Sequence, residues 1–120
     1  MKIKYDETPS FIKDFKKLNK KFKTLTEDMN VAKKSAIELF HLNNIDNHSI
    51  VSVPRYNHEF FQIYKLRKFA CKALKGKGAR SGIRVIYAYN INTNTVTFIE
   101  MYFKANQENE DKKRIKNFLC

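Results

Sequence analysis

The chain has 120 residues, of which 42% are hydrophobic and 13% aromatic, so it is large enough for one domain with a single packed core. Lys and Arg number 24 against 12 Asp and Glu, and the net charge of +12 indicates an anionic partner: nucleic acid first, a membrane surface second, an acidic protein third. No apolar run approaches the roughly 18 residues of a membrane span, and the two cysteines, Cys71 and Cys120, are too few for a disulfide framework.

The N-terminal residues predict a short strand followed by an amphipathic helix. Lys2–Asp6 alternates apolar and polar residues and lacks the apolar core of a signal peptide, so we expect a cytoplasmic protein with free thiols. Thr8 and Pro9 suit the N-cap and the first position of a helix. The apolar residues that follow have helical spacing, with lysines between them, and indicate a helix with a basic outer face. They are Phe11, Phe15, Leu18, Phe22 and Leu25.

The next stretch predicts a second helix and a short strand. Thr24 and Glu27 have the spacing of a capping box, and Asn43–Asn47 supplies residues that end a helix in the left-handed conformation. Ile50–Val53 is apolar enough for a short strand, which Pro54 stops. Possible metal ligands follow, but they lack the spacing of a metal site, so we expect no metal. They are His48, His58 and Glu59.

Three runs that contain basic residues predict the main strands of a sheet. The runs are Phe60–Phe69, Ile83–Tyr89 and Thr95–Lys104. Both faces of the middle run are apolar, as is typical of a central strand, and Arg84 is its exception. A charged side chain on a central strand is costly unless it is paired or lies at the mouth of a groove. Arg84 therefore has either a functional role or a structural one, in an ion pair with Glu100. Lys72–Arg80 forms a basic loop without the spacing of a Walker motif.

The turn between the last two strands decides which side chains share a face of the sheet. A loop of three residues, Asn92–Asn94, pairs Arg84 with Tyr102, whereas a loop of two residues moves Arg84 to the opposite face. We predict the odd-length loop. On that basis the residues that share the face with Arg84 are Glu100, Tyr102 and Lys104.

The C-terminal residues predict a last helix over Glu108–Leu119, capped by Asn106 or Asn109. Its early residues are acidic and its later ones basic, which suits the helix dipole. A strand, a helical pair, an antiparallel sheet and a final helix together define an α+β fold. We expect one domain that spans residues 1–120.

Four segments make the sequence similar to the RelE/ParE superfamily of bacterial type II toxins, and most similar to the RelE- and HigB-like mRNA interferases. These segments are Phe11–Leu18, Tyr64–Lys68, Ser81–Tyr87 and Tyr102–Asn106. The resemblance implies a RelE-like fold, in which an antiparallel sheet with a mixed edge packs against two N-terminal helices and a short C-terminal helix. It also implies a ribosome-dependent endoribonuclease that cleaves mRNA, and a cognate antitoxin protein that masks the toxin.

By matching position, the resemblance implies that Arg84, Lys65, Arg67 and Lys104 are site residues. The sequence itself adds Glu100 as a candidate base and the cations of the basic loop as possible contacts to a phosphate backbone. The expected catalytic residues are Arg84, Lys65, Arg67, Lys104 and Glu100. The expected nucleic-acid-binding residues are Lys68, Lys72, Lys75, Lys77, Arg80 and Tyr102. Some members of the family use a C-terminal tyrosine in catalysis, but this chain has no tyrosine beyond Tyr102.

These residues suit cleavage of RNA by its own 2′-hydroxyl, which needs neither a metal nor another cofactor. Arg84 would neutralise the phosphate with its planar fork of donors. A lysine among other cations has its charged form disfavoured, so Lys65 or Lys104 would act as a base, with Glu100 as a second candidate. Two alternatives remain: a ParE-like toxin that acts on DNA gyrase, and a basic module that binds RNA without cleaving it.

Overall fold

The computed structural model describes residues 2–56 and 58–120. Its strands are β1 (Lys4–Glu7), β2 (Ile50–Ser52), β3 (Phe61–Leu66), β4 (Ile83–Asn90) and β5 (Thr95–Phe103). Its α-helices are α1 (Pro9–Lys21), α2 (Leu25–Ala32), α3 (Leu39–Leu42) and α4 (Lys112–Leu119). A π-helical segment, Lys33–Glu38, joins α2 to α3, and Pro54–Tyr56 forms a 3-10 turn. None of the described helices is long and apolar enough to cross a membrane.

The five strands form one sheet in the order β1-β5-β4-β3-β2. β1 runs parallel to β5, and the other neighbours are antiparallel, so the predicted α+β fold with a mixed-edge sheet is confirmed. One face of the sheet packs against α1, α2 and the π-helical segment through the larger group of buried residues. β4 lies at the centre of the sheet, and this position explains why both of its faces are apolar.

The first helix begins as its sequence predicts. The Thr8 side chain accepts a hydrogen bond of 3.2 Å from the Phe11 backbone N–H, and Pro9 occupies the first turn, where it has no N–H to leave unpaired. Phe11 is fully buried, and its ring stacks on Phe98 of β5 with 5.1 Å between centroids. Burial of a side chain of this size stabilises the fold by about 2–3 kcal/mol, so this contact fixes α1 on the sheet.

The predicted capping box at the second helix is wrong. Thr24 precedes α2, but its hydroxyl makes no cap and instead donates to the Asp28 carboxylate at 2.7 Å. The same hydroxyl accepts from the Ala73 backbone N–H at 3.0 Å, so a contact distant in sequence competes with the local cap. The expected end of the helical region is confirmed, because Asn44 has a left-handed backbone with φ 56°.

The hairpin between β4 and β5 corrects the predicted loop length. Asn90 pairs with Thr95, so four residues form the loop, and the odd-length prediction is wrong. A β-bulge then places Ile99 between the pairs Tyr87–Phe98 and Ile86–Glu100. The extra residue in β5 shifts the pairing of the following residues by one position. Arg84 therefore lies opposite Tyr102, as expected. The loop and the bulge together therefore set the register at the N-terminal end of β4.

The C-terminal helix covers part of the second face of the sheet. α4 begins at Lys112 with Asp111 as its cap, so the predicted caps Asn106 and Asn109 are wrong. Asp111 accepts from the Lys113 backbone N–H at 3.0 Å, the bond that defines an N-cap. Ile115 of α4 is fully buried among apolar residues of β3, β4 and β5.

Candidate active site

Basic side chains converge where three neighbouring strands end. They line a depression of about 490 Å³ together with Ala79 and Gly82, and we call this depression the basic pocket. Its charged residues are Arg67, Lys68, Arg80, Arg84 and Lys104. β3 ends just before Arg67, β4 begins just before Arg84, and β5 ends just before Lys104. The antiparallel pairing of these strands therefore brings together charges that are up to 37 positions apart in the sequence, from Arg67 to Lys104.

Gly82 provides a left-handed backbone turn beneath the basic pocket. Its backbone has φ +84°, a left-handed conformation that side chains disfavour. A Cβ at Gly82 would lie 3.5 Å from the Phe103 ring and 3.7 Å from the Lys104 Cβ. The Lys104 N–H donates to the Gly82 carbonyl at 2.8 Å. This turn therefore holds Lys104 beside the start of β4.

Arg84 is held at the rim of the basic pocket by a backbone carbonyl. Its Nη1 donates to the Arg67 carbonyl at 2.9 Å and makes a longer bond of 3.4 Å to the Ile83 carbonyl. Among the described residues, none accepts a hydrogen bond from its Nε or Nη2. These two nitrogens form the fork that binds two oxygens of a phosphate. Arg84 is therefore oriented by the protein while part of its donor set remains free.

Glu100 is not the partner of Arg84, so the structural ion pair that the sequence left open as an alternative is wrong. Its side chain is 1% exposed and accepts from the Asp111 backbone N–H at 2.8 Å and from the Gln107 amide at 2.7 Å. Burial raises the pKa of Glu100, although these two hydrogen bonds oppose that rise. The carboxylate therefore fastens the segment before α4 to the sheet, away from the basic pocket.

Lys65 is also engaged by the C-terminal segment. Its ammonium lies 2.5 Å from the Glu110 carboxylate, and its side chain is 18% exposed. Burial lowers the pKa of Lys65, but the Glu110 carboxylate and the neighbouring Tyr102 outweigh burial and raise it above the ordinary value. The lowered pKa expected for a lysine base is therefore wrong at Lys65. Tyr102, 4% exposed, is buried beside it.

A solved structure is similar to this arrangement of strands and helices. It is a chain in the crystal structure of the archaeal RelE–RelB complex from Pyrococcus horikoshii OT3, with a TM-score of 0.53. The similarity covers 87% of this chain and 97% of that chain. The chain has a RelE-like fold. At 11% sequence identity the similarity concerns the fold alone, and no family model and no curated protein matches the sequence.

The predicted site residues divide into three groups on the RelE-like fold. The basic pocket gathers Arg67, Lys68, Arg80, Arg84 and Lys104. Glu100, Lys65 and Tyr102 lie beside the C-terminal segment instead. Lys75 and Lys77 are exposed in the basic loop without lining the pocket. Lys72, also exposed, points toward α2, where its ammonium lies 3.3 Å from the Glu27 carboxylate.

The basic loop is held by two residues of the helical layer whose contacts with the loop the sequence does not predict. The Asp28 carboxylate, 3% exposed, accepts from the Lys72 backbone N–H at 3.4 Å, and Thr24 accepts from that of Ala73. We call Thr24 and Asp28 the loop anchor. Its members lie more than 40 positions from the loop in the sequence, so no local pattern reveals them. A buried carboxylate at the start of α2 is the only signal, and burial is visible only in the structure.

Proposed function

We propose that this protein is the toxin of a type II toxin–antitoxin system and acts as a ribosome-dependent endoribonuclease on mRNA. The observation that carries the proposal is the convergence of five basic side chains in one depression. A pocket of this charge suits the phosphate backbone of RNA, where cations bind the anionic oxygens. The similarity of the fold to a chain of a RelE–RelB complex supports the toxin class.

The proposed reaction is an attack of the RNA on itself. The 2′-oxygen forms a bond to the adjacent phosphorus, and the bond from phosphorus to the 5′-oxygen of the next nucleotide breaks. The products are a 2′,3′-cyclic phosphate and a 5′-hydroxyl. Negative charge accumulates on the phosphorane oxygens, and fixed cations stabilise that charge more strongly than they stabilise the substrate. Arg84 and Arg67 would supply this stabilisation with their planar donors.

One proton must leave the 2′-hydroxyl and another must reach the departing 5′-oxygen. Lys104 is the candidate for proton transfer that remains, because it lines the basic pocket whereas Lys65 is paired with Glu110. Glu100 is buried and hydrogen-bonded, so we assign it to positioning of the C-terminal segment.

We propose that a cognate antitoxin binds this protein and inhibits it. The similar structure is a complex of RelE with RelB, and the basic pocket would attract an acidic segment of such a partner. A segment seated there would exclude RNA from the same cations.

The second candidate function is an RNA-binding module without activity. It is favoured by one observation, the engagement of two predicted bases, Lys65 and Glu100, by the C-terminal segment. Such a module would bind RNA through the basic pocket with strong salt dependence and would leave the strand intact.

The decisive experiment compares Arg84→Ala with Arg55→Ala, which removes an exposed arginine of the 3-10 turn. Purified protein is incubated with ribosomes and a defined mRNA, and the 5′ ends of the fragments are mapped. We expect Arg84→Ala to cut about 100-fold more slowly, the effect of removing one donor to a developing anion, and Arg55→Ala to cut normally.

The outcomes separate the candidate functions. Fragments that carry a 5′-hydroxyl at one new end and a 2′,3′-cyclic phosphate at the other support the proposal. RNA binding without any cleavage by the wild-type protein supports the binding module. A DNA-damage response on expression, with intact mRNA, would assign the protein to the gyrase-directed class instead.

A further inference from the structure

Two adjoining cavities lie at the opposite end of β4 from the basic pocket. One has a volume of about 350 Å³ and the other about 720 Å³, and both are lined by His41, Tyr89 and Ile91. We call the joined space the aromatic cleft. Arg84 and Tyr89 are five residues apart on β4, which corresponds to about 17 Å along a strand and to opposite faces of the sheet. The aromatic cleft is therefore separate from the basic pocket.

The inner wall of the aromatic cleft is formed by packed rings. The His41 ring stacks on Tyr89 with 4.0 Å between centroids, and it meets Tyr64 edge-on at 4.9 Å. The His41 Nε2 lies within a hydrogen bond, 2.8 Å, of the buried Tyr87 hydroxyl. Burial lowers the pKa of His41 to about 4, so the ring is uncharged at neutral pH. The wall is therefore aromatic, fixed in orientation and neutral.

The rim of the cleft carries side-chain amides on both sides. Asn44 and Gln62 line the smaller cavity, and Asn92 and Asn94 line the larger one. The Asn94 amide is already engaged, because its oxygen accepts from the Tyr89 hydroxyl and its nitrogen donates to the Lys2 carbonyl at 3.0 Å, so the donors and acceptors left for a ligand are those of Asn44 and Asn92 and the Gln62 nitrogen. Asn44 and Asn94 have left-handed backbones, with φ 56° and φ 55°. Asn adopts this conformation more readily than most residues that have a side chain, so Asn44 can end the helical region and Asn94 can close the hairpin.

The charge of the aromatic cleft is balanced, in a protein of net charge +12. Among the described residues that line it, the charged side chains are Lys2 and Asp46, one of each sign. Ile91 is 66% exposed at its mouth, where an apolar side chain gains from being covered. The cleft thus offers stacking, amide hydrogen bonds and an apolar edge, but no net attraction for a phosphate.

We propose that the aromatic cleft binds a nucleobase. A base is planar and uncharged, so it stacks on aromatic side chains, and its edge alternates hydrogen-bond donors and acceptors as a side-chain amide does. The base belongs either to an unpaired nucleotide of RNA or to a free nucleoside, and both present the same ring. This inference goes beyond the cleavage of RNA, because it concerns the other face of the sheet.

The test is a titration of isotope-labelled protein with adenosine, guanosine, cytidine and uridine, followed by backbone amide NMR. We expect at least one nucleoside to shift the amides of Asn44, Gln62 and Tyr64, and Arg84→Ala to leave these shifts unchanged. An RNA hairpin with an unpaired loop is then titrated. Tighter binding of the hairpin at the same amides identifies RNA as the source, and equal or weaker binding identifies the free nucleoside.

Two variants probe the rim, and the second also frees the Tyr64 hydroxyl, which donates to the Gln62 amide oxygen at 2.6 Å. Asn44→Gly removes an amide at a backbone conformation that glycine adopts freely, and Gln62→Ala removes an exposed one. We expect each to weaken nucleoside binding about tenfold, the effect of losing one paired contact to a base edge. Asn30→Ala, at an exposed amide of α2, is the matched control and should bind normally.

Three results would overturn the proposal. The first is the absence of shifts at the cleft with any of the four nucleosides. The second is a response only to nucleotides that carry phosphate, centred on Arg84. The third is equal shifts of the same amides by an uncharged disaccharide, which would make the cleft a sugar site.

Discussion

At the residue scale, neighbouring basic side chains have different roles. Arg84 and Lys65 lie on adjacent strands, yet Arg84 reaches the basic pocket and Lys65 is paired with Glu110. The alternation of apolar and basic residues predicts that the side chains of Arg84 and Lys65 both point away from the core. The partner of Lys65 is 45 positions away, so only the fold decides which of the two cations forms a salt bridge.

His41 should make the stability of the protein depend on pH. Its pKa of about 4 lies below its ordinary value of 6.5, so the unfolded chain binds a proton that the folded chain excludes. The stability that His41 contributes is complete above pH 6.5 and falls as the pH decreases toward 4. We expect the melting temperature to fall between pH 7 and pH 5 by more in the wild type than in His41→Gln.

His41→Phe separates packing from titration, since its ring still packs on Tyr89 but takes no proton. Glu100 acts with the opposite sign, because its raised pKa means that the folded chain gains a proton more readily than the unfolded chain. Glu100 is present in all three proteins, so its effect cancels in the comparison. Equal pH dependence of the wild type and both variants would contradict the assigned state of His41.

The residues that line the basic pocket are the part of the site that the sequence predicts. Arg67, Lys68, Arg80, Arg84 and Lys104 stand next to strand ends or within a strand, where local patterns are informative. Glu100 and Tyr102 share the predicted face, but the segment before α4 covers them. No periodicity in the sequence predicts that cover, because it depends on a hydrogen bond to one buried carboxylate.

At the element scale, the loop anchor joins the helical layer to the basic loop. Thr24 and Asp28 belong to the start of α2, and they accept hydrogen bonds from backbone groups of Lys72 and Ala73. The anchor holds the first residues of the loop, and Arg80 at the other end of the loop lines the basic pocket. A loop without these bonds loses part of its order to conformational entropy.

Thr24→Val should loosen the basic loop while leaving the sheet intact. It removes a hydroxyl that donates to Asp28 and accepts from Ala73, which costs about 1–3 kcal/mol, or roughly 3–10 °C in melting temperature. We expect faster hydrogen exchange at the Ala73 amide and unchanged protection in β4. Thr24→Ser should restore the protection, and Thr26→Val, at an exposed position, should have no effect.

At this scale, strands are easier to predict from the sequence than the turns, bulges and helix caps that connect the elements. The alternation of β3, β4 and β5 is local, so their existence follows from the sequence. The four-residue loop, the bulge at Ile99 and the cap at Asp111 depend on contacts made after folding. The loop-length prediction fails for this reason, although the pairing of Arg84 with Tyr102 is correct.

At the scale of the whole molecule, the basic side chains behind the net charge of +12 differ in whether they form salt bridges. Ion pairs occupy Lys65, Lys72 and Arg114, while the residues of the basic pocket form no salt bridge among the described residues. Association with an anionic polymer therefore releases counterions chiefly where charges are unpaired. The pocket should contribute more to the salt dependence of binding than its share of the total charge.

Removal of two pocket charges should reduce the salt dependence of RNA binding. For the double variant Lys68→Gln and Arg80→Gln, we expect the slope of log K against log salt for a single-stranded RNA to shrink by about 1.4, or roughly 0.7 for each lost phosphate contact. The matched control replaces Lys34 and Lys113, two exposed lysines outside the pocket. Equal changes in both double variants would mean that binding follows total charge and not the pocket.

The β-bulge at Ile99 has a consequence for how this hairpin tolerates insertions and deletions. It lies between the tip of the hairpin, which borders the aromatic cleft, and the end that borders the basic pocket. Because the bulge accommodates one extra residue in the middle of β5, the length of the hairpin at its tip can change independently of its length at the other end. Homologous chains with longer or shorter tips should therefore keep the alignment of Arg84 with Tyr102, and variation at one end need not disturb the other.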